Sequence, residues 1–218
     1  DKEIGTLLLI NPDNPSGNYI PYGDLLRLID WSAERGIRFI VDESFVDFVD
    51  VEGEFSLLHN EVLGANEHLV VVKSISKSYG VPGLRLGVLA TANQSLMVNL
   101  RREMSIWNIN SFGEFFLQIL GKYEKAYAQA MDAFREERSR FVKALENISY
   151  LRVIPSEANY VLCEVKERFT ARELAVRLLR EYGILIKDCS QKCKGNYIRL
   201  AVRDTNDNNQ LLKALREL

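Results

Sequence analysis

The chain has 218 residues, a formal charge of −2 and an apolar share near that of an ordinary globular protein, so it can bury one substantial core or two modest ones and is not disordered. Its basic residues are scattered, which gives no electrostatic footprint for nucleic acid or an anionic membrane and points to a small-molecule partner. Cys163, Cys189 and Cys193 are too few for a disulfide framework, and Cys189 and Cys193 lack the second ligand pair of a zinc site, so a reducing cytoplasm and no metal are the expectation.

In chain order, DKEIGTLLLI has neither the basic flank nor the apolar stretch of a signal peptide, and no later run approaches the ~20 residues that span a bilayer. The chain opens without Met and almost directly on a strand-like run, so residue 1 is expected to be a cut point inside a longer protein. TLLLI (6–10) reads as a strand, followed by a helix over 22–35 that places Leu25, Leu28, Ile29 and Ala33 on one face. IRFIV (37–41), LVVVK (69–73) and RLGVLA (85–90) read as further strands. Such alternation predicts an α/β unit, a mostly parallel sheet with helices on both faces.

The first three strands run into polar loops, NPDNPSG, DESFVDF and SISKSYGVPG. In open α/β sheets ligands sit beyond the carboxyl ends of the strands, so these loops are expected to line one crevice. From 93 to 147 the pattern is helical, ending in a long charged amphipathic stretch that reads as a connecting helix. YLRVI, ANYVLCEV, a helix over 170–182, GILIK, NYIRLAV and a helix over 205–217 then predict a small α+β domain. The expected division is 1–125 and 126–218.

The crevice would contain Asn14, Asp42, Lys77, Arg85 and the hydroxyls of Ser74 and Ser76. An amine, a carboxylate, an amide and a guanidinium with hydroxyls suit a ligand with an electrophilic carbonyl, a cationic nitrogen and a phosphate. Pyridoxal 5′-phosphate (PLP) has all three. The ordered set NPDNPSG, VDESFVDF and SISKSYGVPGLRLG, continued by WNINS, SEANYVLCEV and NYIRLAVR, resembles the class I/II PLP-dependent aminotransferases over nearly the whole chain. The resemblance is strongest to the histidinol-phosphate aminotransferase and threonine-phosphate decarboxylase branch.

That resemblance implies part of a PLP-dependent transferase-like large domain followed by the small carboxyl-terminal domain. It implies that Lys77 forms the internal aldimine and shuttles the α-proton, that Asp42 keeps the pyridine nitrogen protonated, and that Asn14 donates to the ring oxygen O3′. Arg85, Ser74 and Ser76 would bind the cofactor phosphate, and Arg199 the substrate carboxylate, with Asn159 and Asn108 near the substrate. Taken singly, Lys77 also reads as a surface lysine, Asp42 as a turn former and Arg199 as a solvent-facing strand residue. Arg203 and Lys187 could serve a second anion or be solvated.

Two departures stand out. Many members read Asp-Glu-Ala-Tyr where this chain has Asp42, Glu43, Ser44 and Phe45, so a phenol at O3′ is missing. The family's amino-terminal half, with its stacking ring and further phosphate donors, is not in the sequence. The expectation is therefore a PLP-dependent aminotransferase, homodimeric when intact, using a small-molecule amino donor and a keto acid acceptor, with this fragment inactive alone. The alternatives are decarboxylation of a phosphorylated amino acid and a ligand-sensing module of a regulator.

Overall fold

Apolar side chains, leucine, β-branched residues and Phe39, dominate Thr6–Ile10, Arg38–Asp42 and Leu69–Ser74, and these segments form strands β1, β2 and β3. The structure is a computed structural model that describes residues 4–166 and 168–218. β1 pairs with β2 and β2 with β3, both in parallel, and β4 (Gly87–Ala90) runs antiparallel on the far side of β3. The sheet order is β1-β2-β3-β4.

The described residues divide into two compact units. The first comprises those up to Pro12 and Tyr19–Gln129, and the second Asp13–Asn18 with Ala130–Leu218. In the first, helix α1 (Tyr22–Ala33) buries Leu25 and Ile29 against Phe39 and Val41 of β2 and Leu69 and Val71 of β3. The helix α2 (Asn60–Ala65) was not foreseen in the sequence. The predicted helical region 93–147 is α3 (Gln94–Glu103), α4 (Ser111–Ile119) and α5 (Glu124–Glu146), with a break over 104–110. Met104 leaves α3 in extended geometry, and the Asn110 side chain caps α4 by accepting from Gly113 N.

The second unit holds an antiparallel sheet of order β5-β6-β8-β7, made of β5 (Leu151–Val153), β6 (Tyr160–Val165), β7 (Lys187–Asp188) and β8 (Tyr197–Ala201). Helices α6 (Ala171–Tyr182) and α8 (Thr205–Glu217) cover it, burying Leu174, Leu178 and Leu215 with Ile198 and Leu200. A capping box between Thr170 and Glu173 starts α6, and left-handed Gly183 ends it. Of the predicted strand GILIK only its end is paired, because Gly183 and Ile184 give their N–H groups back to the last turn of α6. A one-turn helix, α7 (Ser190–Cys193), precedes β8. Among the described residues no helix is long and apolar enough to cross a membrane, and no His, Cys, Asp or Glu cluster could hold a metal ion.

Candidate active site

In the first unit the predicted residues gather at the carboxyl ends of β2 and β3. Asp42 closes β2, and its Oδ1 accepts the N–H of Ser44 at 2.9 Å. Among the described residues its second oxygen has no partner. Lys77 follows β3 by three residues and is exposed, and its Nζ stands 4.4 Å from the centre of the buried Phe45 ring. No carboxylate pairs with that ammonium among the described residues.

Ser74 is half-buried, and its hydroxyl has no hydrogen-bond partner among the described residues, whereas Ser76 is buried and its Oγ donates to Leu86 O at 3.3 Å. The Ser76 hydroxyl therefore closes the turn that carries Arg85. Arg85 is left-handed, with φ 57°, a conformation that costs a non-glycine residue roughly 1 kcal/mol and concentrates at functional positions. That geometry also delays β4 to Gly87, where the sequence predicts a start at 85. The guanidinium is exposed and donates to the Pro82 carbonyl at 3.3 Å. Asn108 lies on the wholly exposed run 101–112, two residues before Asn110, which donates to Leu84 O at 3.0 Å.

The second unit holds Asn14, Asn159 and Arg199. Arg199 Nη1 donates to Asn14 Oδ1 at 2.6 Å, with its guanidinium 4.8 Å from the centre of the Tyr160 ring. Tyr160 OH donates to Asp13 O at 2.7 Å, and Lys192 Nζ donates to Asn14 O at 2.7 Å. Asn159 is half-buried and uses its carbonyl to accept the N–H of Val202 at 3.0 Å.

Sequence reasoning missed the residues that brace these groups. Glu43 is fully buried, and its carboxylate accepts from Ser56 Oγ at 2.6 Å and Leu57 N at 2.7 Å. Burial pushes its carboxyl above the usual range, opposed by those two hydrogen bonds. Lys73 pairs with Asp47 at 2.5 Å, with both side chains largely buried, joining β3 to the turn after β2. In the second unit Arg138, 5% exposed, bonds Glu157 at 2.7 Å and Ala158 O at 3.2 Å, fixing the segment before β6. A signal was present for Glu43 and Asp47, which sit inside the DESFVDF loop, but none for Arg138, an ordinary charge on an amphipathic helix.

The pattern of the family described as aminotransferase class I and II matches residues 1–215. CMP-5′-(3-aminopropyl)phosphonate synthase of Streptomyces rubellomurinus is 36% identical over 99% of this chain and 34% of its own length. Threonine-phosphate decarboxylase of Salmonella typhimurium is 35% identical over 99% of this chain and 58% of its own length. The structure of histidinol-phosphate aminotransferase from Clostridium acetobutylicum superposes with a TM-score of 0.88 at 26% identity, covering 98% of this chain and 63% of that one. The chain thus spans between about a third and three fifths of the length of these relatives. A match across almost every residue makes this chain a member of the class I and II aminotransferase family, whose enzymes use pyridoxal phosphate.

Proposed function

We propose that the protein is a PLP-dependent aminotransferase acting on an amino acid or amino-phosphate compound. The observation that carries this reading is Lys77, an ammonium set over the Phe45 ring just beyond β3 and without a counter-ion among the described residues. The donor set among the described residues fits the cofactor: an unpaired amine, a carboxylate with one oxygen open, a free hydroxyl on Ser74 and an exposed guanidinium on Arg85. PLP, when bound, supplies an aldehyde that captures amines and a ring that withdraws electrons from the bond being broken.

Lys77 would hold the cofactor through its amine, and its Nζ would serve as the base for the substrate's α-proton. Asp42 would keep the ring nitrogen protonated. Arg85 and Ser74 bind the phosphate, the Asn14 amide donates to the ring oxygen, and Phe45 keeps water from one side of the Lys77 amine. Arg199 binds the substrate carboxylate, with Asn159 and Asn108 beside the substrate. The amino donor and keto acid acceptor are small molecules, the active enzyme is a homodimer, and this chain without the rest of the family domain is catalytically silent.

Decarboxylation of a phosphorylated amino acid is a second reading, favoured by the 35% identity to a threonine-phosphate decarboxylase. The test has two arms. Borohydride reduction with excess PLP, followed by peptide mass mapping, should place the adduct on Lys77 ahead of other lysines, and Lys77→Ala should lose that peptide's label. With the complete enzyme, keto acid from the amino donor supports transamination and carbon dioxide supports decarboxylation. Labelling spread evenly over surface lysines would remove Lys77 from its role.

A further inference from the structure

The parallel ladder between β2 and β3 ends in an unusual way. Asp42 lies opposite Val72, and the last backbone rung is Glu43 N–H to Val72 O at 2.8 Å. In this register the next rung would run from Ser74 N–H to Glu43 O. That carbonyl instead accepts the N–H of Val46 at 3.0 Å, where the chain bends into the 3₁₀ turn Val46–Phe48. Ser74 N–H would be left without an acceptor. It donates to Ser44 Oγ at 3.0 Å.

We propose that Ser44 is a positioning residue whose hydroxyl replaces the missing rung and sets the Asp42 carboxylate against the strand end that leads to Lys77. The same residue gives its own N–H to Asp42 Oδ1 at 2.9 Å. One small, buried side chain thus links a carboxylate on β2 to the backbone three residues before the amine. Alanine at this position keeps the backbone bond to Asp42 but removes the acceptor for Ser74 N–H. Ser44 touches neither reacting atoms nor cofactor in this scheme; it acts through Asp42 and Lys77. The inference rests on the reading of those two residues as the ring-nitrogen carboxylate and the aldehyde-binding amine.

The test compares wild type, Ser44→Ala and Ser44→Thr on the chain itself. Amide hydrogen exchange followed by NMR reads the rung without any cofactor. Ser74 N–H should exchange at least about tenfold faster in Ser44→Ala, with the Phe39 and Val71 amides of the sheet core unchanged, and return toward wild type in Ser44→Thr. Borohydride labelling with PLP reads the consequence: the Lys77 adduct should fall severalfold in Ser44→Ala and recover in Ser44→Thr. Should Ser44→Ala lose core protection as well, Ser44→Cys, a weaker acceptor at the same place, should give intermediate Ser74 exchange with the core intact. Unchanged Ser74 exchange in a folded Ser44→Ala or Ser44→Cys chain would overturn the rung. Faster exchange with undiminished Lys77 labelling would overturn the positioning role. Absence of Lys77 labelling in wild type would instead defeat the functional reading, leaving the Ser74 exchange result to stand alone.

Discussion

Arg199 Nη1 and Asn14 Oδ1 lie 2.6 Å apart, joining a strand residue to a loop 185 positions earlier in the chain. The guanidinium does this while lying over the Tyr160 ring, whose hydroxyl donates to Asp13 O. A planar cation can stack, donate to the amide and still present a second N–H edge to a carboxylate; an ammonium cannot. Arg199→Lys in the active enzyme should therefore raise KM for amino-acid substrates about tenfold, the equivalent of ~1.4 kcal/mol. Amines lacking a carboxylate should change much less. Equal losses for both kinds of substrate would place the carboxylate elsewhere.

Glu137 on α5 ties that helix to the start of α8. Its carboxylate accepts from Arg140 at 2.7 and 2.8 Å, Asn208 at 2.7 Å and Thr205 at 2.9 Å. The Arg140 hydrogen bonds come first in holding its carboxyl down to about 2 from the usual 4.5, with Asn208 and Thr205 assisting and burial opposing. A folded pKa below the unfolded one means that the stabilisation is complete above pH 4.5 and is lost as pH falls toward 2, because the unfolded chain takes the proton first. Glu137→Gln should lower stability at neutral pH by about 1 kcal/mol and flatten the acid limb across that window. Urea midpoints at pH 7 and near pH 3 would show both effects; an acid limb as steep as wild type would exclude Glu137 as its source.

Much of this was legible because local chemistry and tertiary packing agree. Thr170 with Glu173, and Gly183 at the other end, mark α6 in the sequence, and Asp204 marks the start of α8 by accepting from Asp207 N. The three loops after β1, β2 and β3 stand out in the sequence because their polar residues follow apolar runs. What was not legible depends on distant partners. The side-chain acceptor at Ser44 exists only because Glu43 O turns to Val46, and the early end of GILIK only because α6 takes back two N–H groups. Likewise Asp13–Asn18 follows β1 in sequence yet belongs by its contacts to the second unit, through bonds from Arg199, Tyr160 and Lys192.

The run between α3 and α4 carries large apolar side chains into solvent: Ile106 is 95% exposed, Trp107 89% and Phe112, at the start of α4, 79%. Exposed apolar surface of this size drives association. The chain at micromolar concentration should therefore sediment as concentration-dependent oligomers, and Ile106→Lys combined with Trp107→Lys should shift it toward monomer. Sedimentation velocity that is identical for the two proteins would show that another surface is responsible.

Gly17 makes the Asn14 loop possible in two separable ways. Its φ of +74° lies in the left-handed region, and a Cβ there would sit 1.9 Å from Ser156 Oγ and 2.6 Å from Ser156 Cβ. The approach is enforced by the backbone, since Gly17 O accepts the N–H of Glu157 at 2.8 Å and Gly17 N–H donates to Asp13 O at 2.8 Å. Ser156 cannot easily rotate away, because its Oγ donates to Tyr160 O at 2.5 Å and accepts from Ala158 N at 3.1 Å. Gly17→Ala should thus cost roughly 1 kcal/mol for the backbone and a further 1–3 kcal/mol for the collision. Ser156→Gly removes the two severe contacts, leaving the Cα at position 156 at 3.1 Å from the new Cβ, but also removes its own hydrogen bonds, about 1 kcal/mol. The double variant should therefore be more stable than the sum of the two single losses predicts, by at least about 1 kcal/mol in a double-mutant cycle of chemical unfolding. Strict additivity would mean that the loop moves away from Ser156 when alanine is introduced, and in that case Gly17→Ala should also break the Arg199 bond to Asn14.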